Sequence, residues 1–162
     1  YILEIKSNGV CEVANDNADG QIIVSGNIEP IEELKNILKK NKKKCILLPV
    51  SAPFHCSLMN PASIAMKEKI NAVNFKKPEF QIIGNVTAAP VEKPDDIKDL
   101  LVKQIYSKVR WRESIIFMNE NKINDFIEIG PGKVLTGLTK RILPNSNSFS
   151  INSINDIKNL IE

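Results

Sequence analysis

The sequence predicts an α/β protein with a largely parallel sheet, and three observations lead there. Apolar runs at 45–50, 126–129 and 149–151 alternate with segments whose apolar residues recur at helical spacing. The first of these runs, CILLPV, is unbroken, the mark of a strand covered on both faces. The 162 residues, 43% apolar and 25% charged, suffice for a real hydrophobic core without disulfide staples.

In chain order, residues 1–6 read as the last turns of a helix, ended by Ser7-Asn8-Gly9 with Gly9 as its C-cap. Residues 10–14 are a strand, the polar stretch 15–20 a turn, and 21–25 a second strand built on Ile22, Ile23 and Val24. A helix opens near Pro30 with the stripe Ile31, Leu34, Ile37 and Leu38. The lysine-rich stretch 39–44 closes it, where the helix dipole favours cations. After the strand at 45–50, Leu58, Ala62, Ala65, Met66, Ile70 and Val73 mark a helix that tolerates Pro61 in its first turn. Residues 80–84 are a short strand, and Pro94 and Asp95 open a helix striped by Ile97, Leu100, Leu101 and Ile105. Trp111, Ile115 and Met118 mark the next helix, followed by the strand at 126–129. Gly130-Pro131-Gly132 then turns sharply into a helix with Val134, Leu135, Leu138 and Ile142. A strand at 149–151 and a helix at 154–161 complete the series, with Glu162 expected as a chain end. The opening order of strand, strand, helix, strand is that of a truncated ferredoxin-like unit.

Composition narrows the function. Cys11, Cys45 and Cys56 are odd in number, widely spaced and contain no CxxC pair. A disulfide framework or zinc site is not expected, and a reducing cytoplasm is the expected location. No apolar run approaches a membrane span, so no membrane partner is expected. The chain starts at Tyr1 without a signal-peptide pattern, and the true N-terminus is expected upstream. A net charge of +3 does not argue for nucleic acid. Ferredoxin-like RNA binders stack bases on exposed sheet aromatics, and the strands at 10–14 and 21–25 contain none.

The one histidine, His55, follows the apolar run 45–50, at the carboxyl end of a strand where open α/β sheets place catalytic groups. There it can act as a general base near neutral pH; a packed or surface loop histidine is the structural alternative. Cys56 is adjacent, but neighbours in sequence point apart, and a small buried thiol suits it better than a nucleophile. No G-x-S-x-G elbow, GxGxxG or phosphate-binding P-loop occurs. The turn Gly130-Pro131-Gly132-Lys133 could offer helix N–H groups to a phosphate, but without the rest of a P-loop it reads as a strand-to-helix corner.

Four stretches carry a family resemblance: LPVSAPFHCSLMNPA (48–62), VKQIYSKVRW (102–111), EIGPGKVLTGLTKRI (128–142) and NDNADGQIIVSG (15–26). In order and spacing they resemble bacterial malonyl-CoA:acyl carrier protein transacylases. The resemblance implies the C-terminal part of an α/β-hydrolase-like parallel-sheet subdomain at 49–162, and a truncated ferredoxin-like small subdomain at 1–48. It implies a Ser–His mechanism that moves malonyl from CoA to the pantetheine thiol of acyl carrier protein in fatty-acid synthesis. No permanent cofactor or metal is implied; the CoA thioester is a substrate. His55 matches the family's catalytic histidine, and Gln104 a glutamine whose backbone carbonyl orients that imidazole, although a polar helix-end residue would also suit Gln104.

Phe54 matches a position that, in related polyketide acyltransferase domains, accompanies malonyl selection; loop packing is its alternative. Asn17 and Gln21 match polar residues near the acyl or pantetheine path, with turn chemistry equally able to explain Asn17. Lys43 and Lys44 match a basic pair associated with carrier-protein docking, and a solvated helix end is the plainer explanation. The family's serine, in a G-H-S-L-G turn, its malonyl-binding arginine and its oxyanion-hole glutamine have no counterpart here. The sequence is therefore expected to be a fragment whose partners include the missing N-terminal half of the same enzyme. An acyltransferase domain of a polyketide synthase is the nearest enzymatic alternative.

Overall fold

The computed structural model describes residues 1–161, and Glu162, expected to end the chain, lies outside them. β1 (Cys11–Ala18) and β2 (Gln21–Gly26) form an antiparallel hairpin that turns at Asp19-Gly20, with Gly20 at φ 74°. β1 is longer than expected because residues 15–18, read as a turn, continue the strand. Polar turn formers accept strand geometry when tertiary partners satisfy them. The backbone of Asp16 donates to Val109 O at 2.9 Å, and Val109 N donates to Ala14 O at 2.8 Å. Two register irregularities, between Val13 and Asn15 and between Asp16 and Ala18, break the alternation, so Asp16, Asn17 and Ala18 are all buried. At the far end of the hairpin Gly26 is required, since a Cβ there would lie 2.0 Å from Val10 O.

α1 (Ile28–Lys40) buries Leu34 of its predicted stripe and half-buries Ile31, Ile37 and Leu38, while Pro30 near its start is also buried. Glu33 on this helix accepts from the backbone of Lys6 and Ser7, and the Ser7 N–H holds its carboxyl below the ordinary range. Residues 1–6 are not the end of an α-helix: only a single 3-10 turn, Ile2–Glu4, forms there. So short a segment cannot offset the cost of helix nucleation by itself.

The largest correction falls on 45–50. No strand forms there; Ile46, Leu47 and Val50 are 68%, 72% and 61% exposed. A strand of a parallel sheet exists through its hydrogen-bonded neighbours, and no described strand pairs with this segment. The strand-strand-helix-strand order therefore lacks its last member.

α2 (Asn60–Ala72) begins with Pro61 in its first turn, as expected, but its predicted stripe is largely uncovered, with Met66 and Val73 exposed. β3 (Ile82–Gly84) pairs antiparallel with β4 (Ala89–Val91), a strand hidden in the sequence by its brevity and by Pro90. α3 (Pro94–Lys103) and α4 (Trp111–Glu120) follow, and Ile115 on α4 is among the most deeply buried side chains. β5 (Asp125–Ile129), α5 (Val134–Ile142) and β6 (Asn147–Ile151) form one parallel crossover unit, and α6 (Ile154–Ile161) packs against β6. The architecture is mixed α/β as expected. The described strands form three separate two-stranded sheets, of which only β5–β6 is parallel, in place of one largely parallel sheet. No helix among the described residues is long and apolar enough to cross a membrane.

Candidate active site

The segment after residue 50 reaches His55 through a tight turn in which Phe54 N donates to Ala52 O at 3.0 Å. His55 takes φ 60°, the left-handed region that side-chain-bearing residues seldom enter. Such a backbone costs roughly 1–3 kcal/mol and persists where surrounding contacts over-determine it. The imidazole is half-buried, and its Nδ1 lies 2.7 Å from the backbone oxygen of Gln104. A carbonyl can only accept, so the contact assigns the proton of the neutral ring to Nδ1 and leaves the Nε2 lone pair free.

Gln104 is placed by α3. It is that helix's C-cap, and its N–H donates to Leu100 O at 2.9 Å. Its carbonyl thus stands at the negative end of the helix dipole, which favours a cation within the last turn. The acceptor that orients His55 is a helix terminus rather than a carboxylate, and it would stabilise an imidazolium formed during proton transfer. Among the described residues no hydroxyl or thiol bonds to Nε2.

Several neighbours were not legible from sequence. Asn85 donates through Nδ2 to the Gln104 side-chain oxygen at 3.2 Å, and its own carbonyl accepts from Arg110 N at 2.9 Å. Arg110 also reaches Thr87 O at 2.9 Å and pairs with Glu113, whose carboxyl it holds below the ordinary range. Arg112 grips Asp16 by two bonds of 2.9 and 2.8 Å, pinning α4 to β1. These partners are up to 96 residues apart in the chain, and local spacing carries no sign of them.

The other expected site residues are placed unequally. Phe54 is 47% exposed beside His55, free to present its ring to a ligand. Cys56 is fully buried and donates to Pro53 O at 3.1 Å, a packed thiol as expected rather than a partner of His55. Asn17 is buried in β1, not in a turn. Gln21 opens β2, and its side-chain oxygen accepts from Arg141 on α5 at 2.8 Å. Lys43 and Lys44 are exposed just beyond α1, with Lys43 N bonded to Leu38 O.

The corner at 130–133 is not an anion site. Glu128 fills the α5 N-terminus, accepting from Leu135 N at 3.1 Å and from Thr136 N at 2.7 Å. The Thr136 N–H, foremost, holds the Glu128 carboxyl below its ordinary range. Among the described residues no group of three or more His, Cys, Asp or Glu side chains could hold a metal. A cleft of about 450 Å³ lies at Asn8, Gly9, Asn27, Ile28 and Glu29, and a smaller one of about 220 Å³ lies between α4, β5 and α5. Neither is lined by His55.

No protein-family model matches the chain. It is 41% identical over 138 residues to the malonyl CoA-acyl carrier protein transacylase of Bacillus subtilis, covering 85% of this chain and 44% of that protein. Its fold superposes on the acyl-carrier-protein-S-malonyltransferase of Bartonella henselae with a TM-score of 0.89 at 40% identity, over 94% of this chain and 49% of that one. It superposes equally, with a TM-score of 0.89 at 34% identity, on a malonyl-transacylase solved in complex with its type II PKS acyl-carrier protein. That match covers 97% of this chain and 51% of the other. The chain thus spans about half the length of the curated relatives it matches.

Proposed function

We propose that this chain belongs to the malonyl CoA-acyl carrier protein transacylase family, over about half that enzyme's length, and supplies the general base of a malonyl transfer. The observation that carries the reading is the 2.7 Å contact between His55 Nδ1 and the Gln104 carbonyl, because it leaves Nε2 as the proton acceptor. In the complete enzyme a serine outside this chain would be the nucleophile. Nε2 takes the serine proton as Oγ bonds to the thioester carbonyl carbon of malonyl-CoA; the C–S bond to CoA then breaks, and the departing sulfur receives that proton from Nε2. The pantetheine thiol of acyl carrier protein then repeats both steps in reverse, leaving serine free and malonyl on the carrier for fatty-acid synthesis.

No permanent cofactor enters this chemistry. Phe54 would form a wall against the acyl group, and Asn17 and Gln21 would line the acyl or pantetheine path. Lys43 and Lys44 would meet the acidic carrier. Residues 1–48 would be the truncated ferredoxin-like small subdomain, and 49–162 the C-terminal part of an α/β-hydrolase-like subdomain. The missing N-terminal half of the enzyme would cover the apolar surface at 45–50, and the whole would work in the cytoplasm.

The test is a chimera in which this chain replaces the matching segment of the Bacillus subtilis transacylase. It is expected to move labelled malonyl from malonyl-CoA to carrier protein, whereas the 162-residue chain alone is not. A folded chimera that takes up no malonyl, or turnover by the chain alone, would contradict the proposal.

A further inference from the structure

We infer that Glu12 is a positioning residue for His55, clipping the strained histidine turn to β1 so that Nδ1 meets the Gln104 carbonyl. The inference rests on the reading of His55 as the base, but its test does not pass through malonyl transfer.

The need for a clip follows from the backbone. His55 sits at φ 60°, and most of the hydrogen bonds within its turn are local. Phe54 N donates to Ala52 O, Cys56 Sγ to Pro53 O and Met59 N to Cys56 O. Bonds of that kind move with the turn and cannot fix it against the rest of the molecule. Apart from the imidazole's own contact with Gln104, the described hydrogen bonds tie 53–57 to another element at one place. There the Glu12 carboxylate accepts from Ser57 N at 2.8 Å and from Ser57 Oγ at 2.7 Å. Both are charge-assisted bonds to one group, roughly twice as strong as neutral ones and specific in direction.

Glu12 is a firm point of attachment. It lies within β1, paired with Ser25 across the hairpin. Two residues on, the strand is stitched to Val109, and Asp16 is held by both arms of the Arg112 guanidinium. Among the described residues Glu12 has no cationic partner, so both of its oxygens are available to Ser57. His55 is thereby held from two sides, by α3 through its ring and by β1 through the residue two positions later.

Without the clip, residues 55–57 can swing and the Nδ1–H···O bond loosens. The tautomer with its proton on Nε2, which cannot accept another, then becomes populated. His55 is the chain's one histidine, so the ¹⁵N imidazole spectrum of the 162-residue chain reports this residue alone. Recorded well above neutrality, where the ring is neutral, it distinguishes the tautomers by which nitrogen is unprotonated. The unaltered chain is expected to have its proton on Nδ1. Glu12→Ala is expected to raise the Nε2–H fraction roughly fivefold, the factor by which one ordinary hydrogen bond moves an equilibrium. Ser57→Ala, which keeps the backbone bond, is expected to raise it less. Glu12→Gln keeps one acceptor oxygen of the same reach for Ser57 N, and its amide can donate to Ser57 Oγ in place of the second bond, so it is expected to restore most of the original tautomer.

A folded Glu12→Ala chain with the original tautomer would overturn the inference, as would a Glu12→Gln chain as disturbed as Glu12→Ala. If Glu12→Ala does not fold, Ser57→Ala decides: an unchanged tautomer there overturns the clip. A mixture of tautomers in the unaltered chain is a different failure, since it removes the His55–Gln104 geometry and the functional reading with it.

Discussion

In the proposed reading, a carbonyl at a helix end would do for His55 what a buried carboxylate does in a Ser-His-Asp triad, orienting the ring through the 2.7 Å contact at Nδ1. Phe54, half-exposed one position before His55, is the residue proposed to act on acyl selectivity. In the chimera, Phe54→Ser is expected to relax discrimination against methylmalonyl-CoA modestly, since one methyl group in a pocket is worth about 1–3 kcal/mol. An unchanged ratio of specificity constants for the two substrates would assign Phe54 to loop packing. His55 and Gln104 were legible as candidates through the family motifs around them; the place of His55 after an apolar run left a packed or surface loop histidine open, and the strand assumed there does not form. Glu12 and Asn85 were not legible. Their partners stand 45 and 19 residues away, and an exposed glutamate in a strand gives no local sign of what it grips.

Elements that stabilise themselves locally were the readable ones. α1, α3, α4 and α5 form where amphipathic spacing, proline at the first turn or, for α5, a preceding glycine turn place them, within a residue or two. Strands depend on partners, and there the reading faltered: 45–50 stays unpaired, while 15–18 becomes strand because Val109 and Arg112 satisfy it. The capping of α5 by Glu128 gives a sharp test at this scale. Its folded-state carboxyl is held below the ordinary value by the Thr136 N–H, so the ionised form contributes stability that is fully present above about pH 4.3. That contribution is lost as pH falls through the lower folded-state value. Glu128→Gln is therefore expected to lower the melting temperature at neutral pH, with the difference from the unaltered chain shrinking toward zero in acid. A difference independent of pH would mean that the amide's shape, not the lost charge, causes the effect.

Over the whole molecule, the apolar side chains left in solvent are its most unusual property. Ile46, Leu47 and Val50 stand open on one segment, and Ile129, 82% exposed, on another. Apolar side chains exposed along one run, as at 46–50, are the kind of surface that interfaces cover in soluble proteins. The chain is expected to bind the apolar dye ANS far more brightly than the full-length Bacillus subtilis relative; equal fluorescence would mean that these residues are covered in solution. The alternation of strands and helices was legible in the sequence, but the sheet was not, because a sheet is a property of strands brought together and the described strands stay in three pairs. Carrier docking also belongs to this scale. Lys43→Glu/Lys44→Glu in the chimera is expected to slow transfer to carrier protein while leaving acylation by malonyl-CoA nearly unchanged, since charge steering acts on association and weakens in salt. Equal losses in both half-reactions would remove the docking role. In the proposed mechanism the His55 side chain is the base and Gln104 serves through its backbone. The direct measurement is the rate of acylation by malonyl-CoA in His55→Ala and Gln104→Ala chimeras of unchanged melting temperature. Loss of the base is expected to slow acylation by roughly 10²–10⁴-fold. Gln104→Ala keeps the peptide carbonyl and is expected to stay within about tenfold, some 1.4 kcal/mol of barrier. Near-normal acylation by His55→Ala, or a Gln104→Ala loss as large as that of His55→Ala, would contradict it.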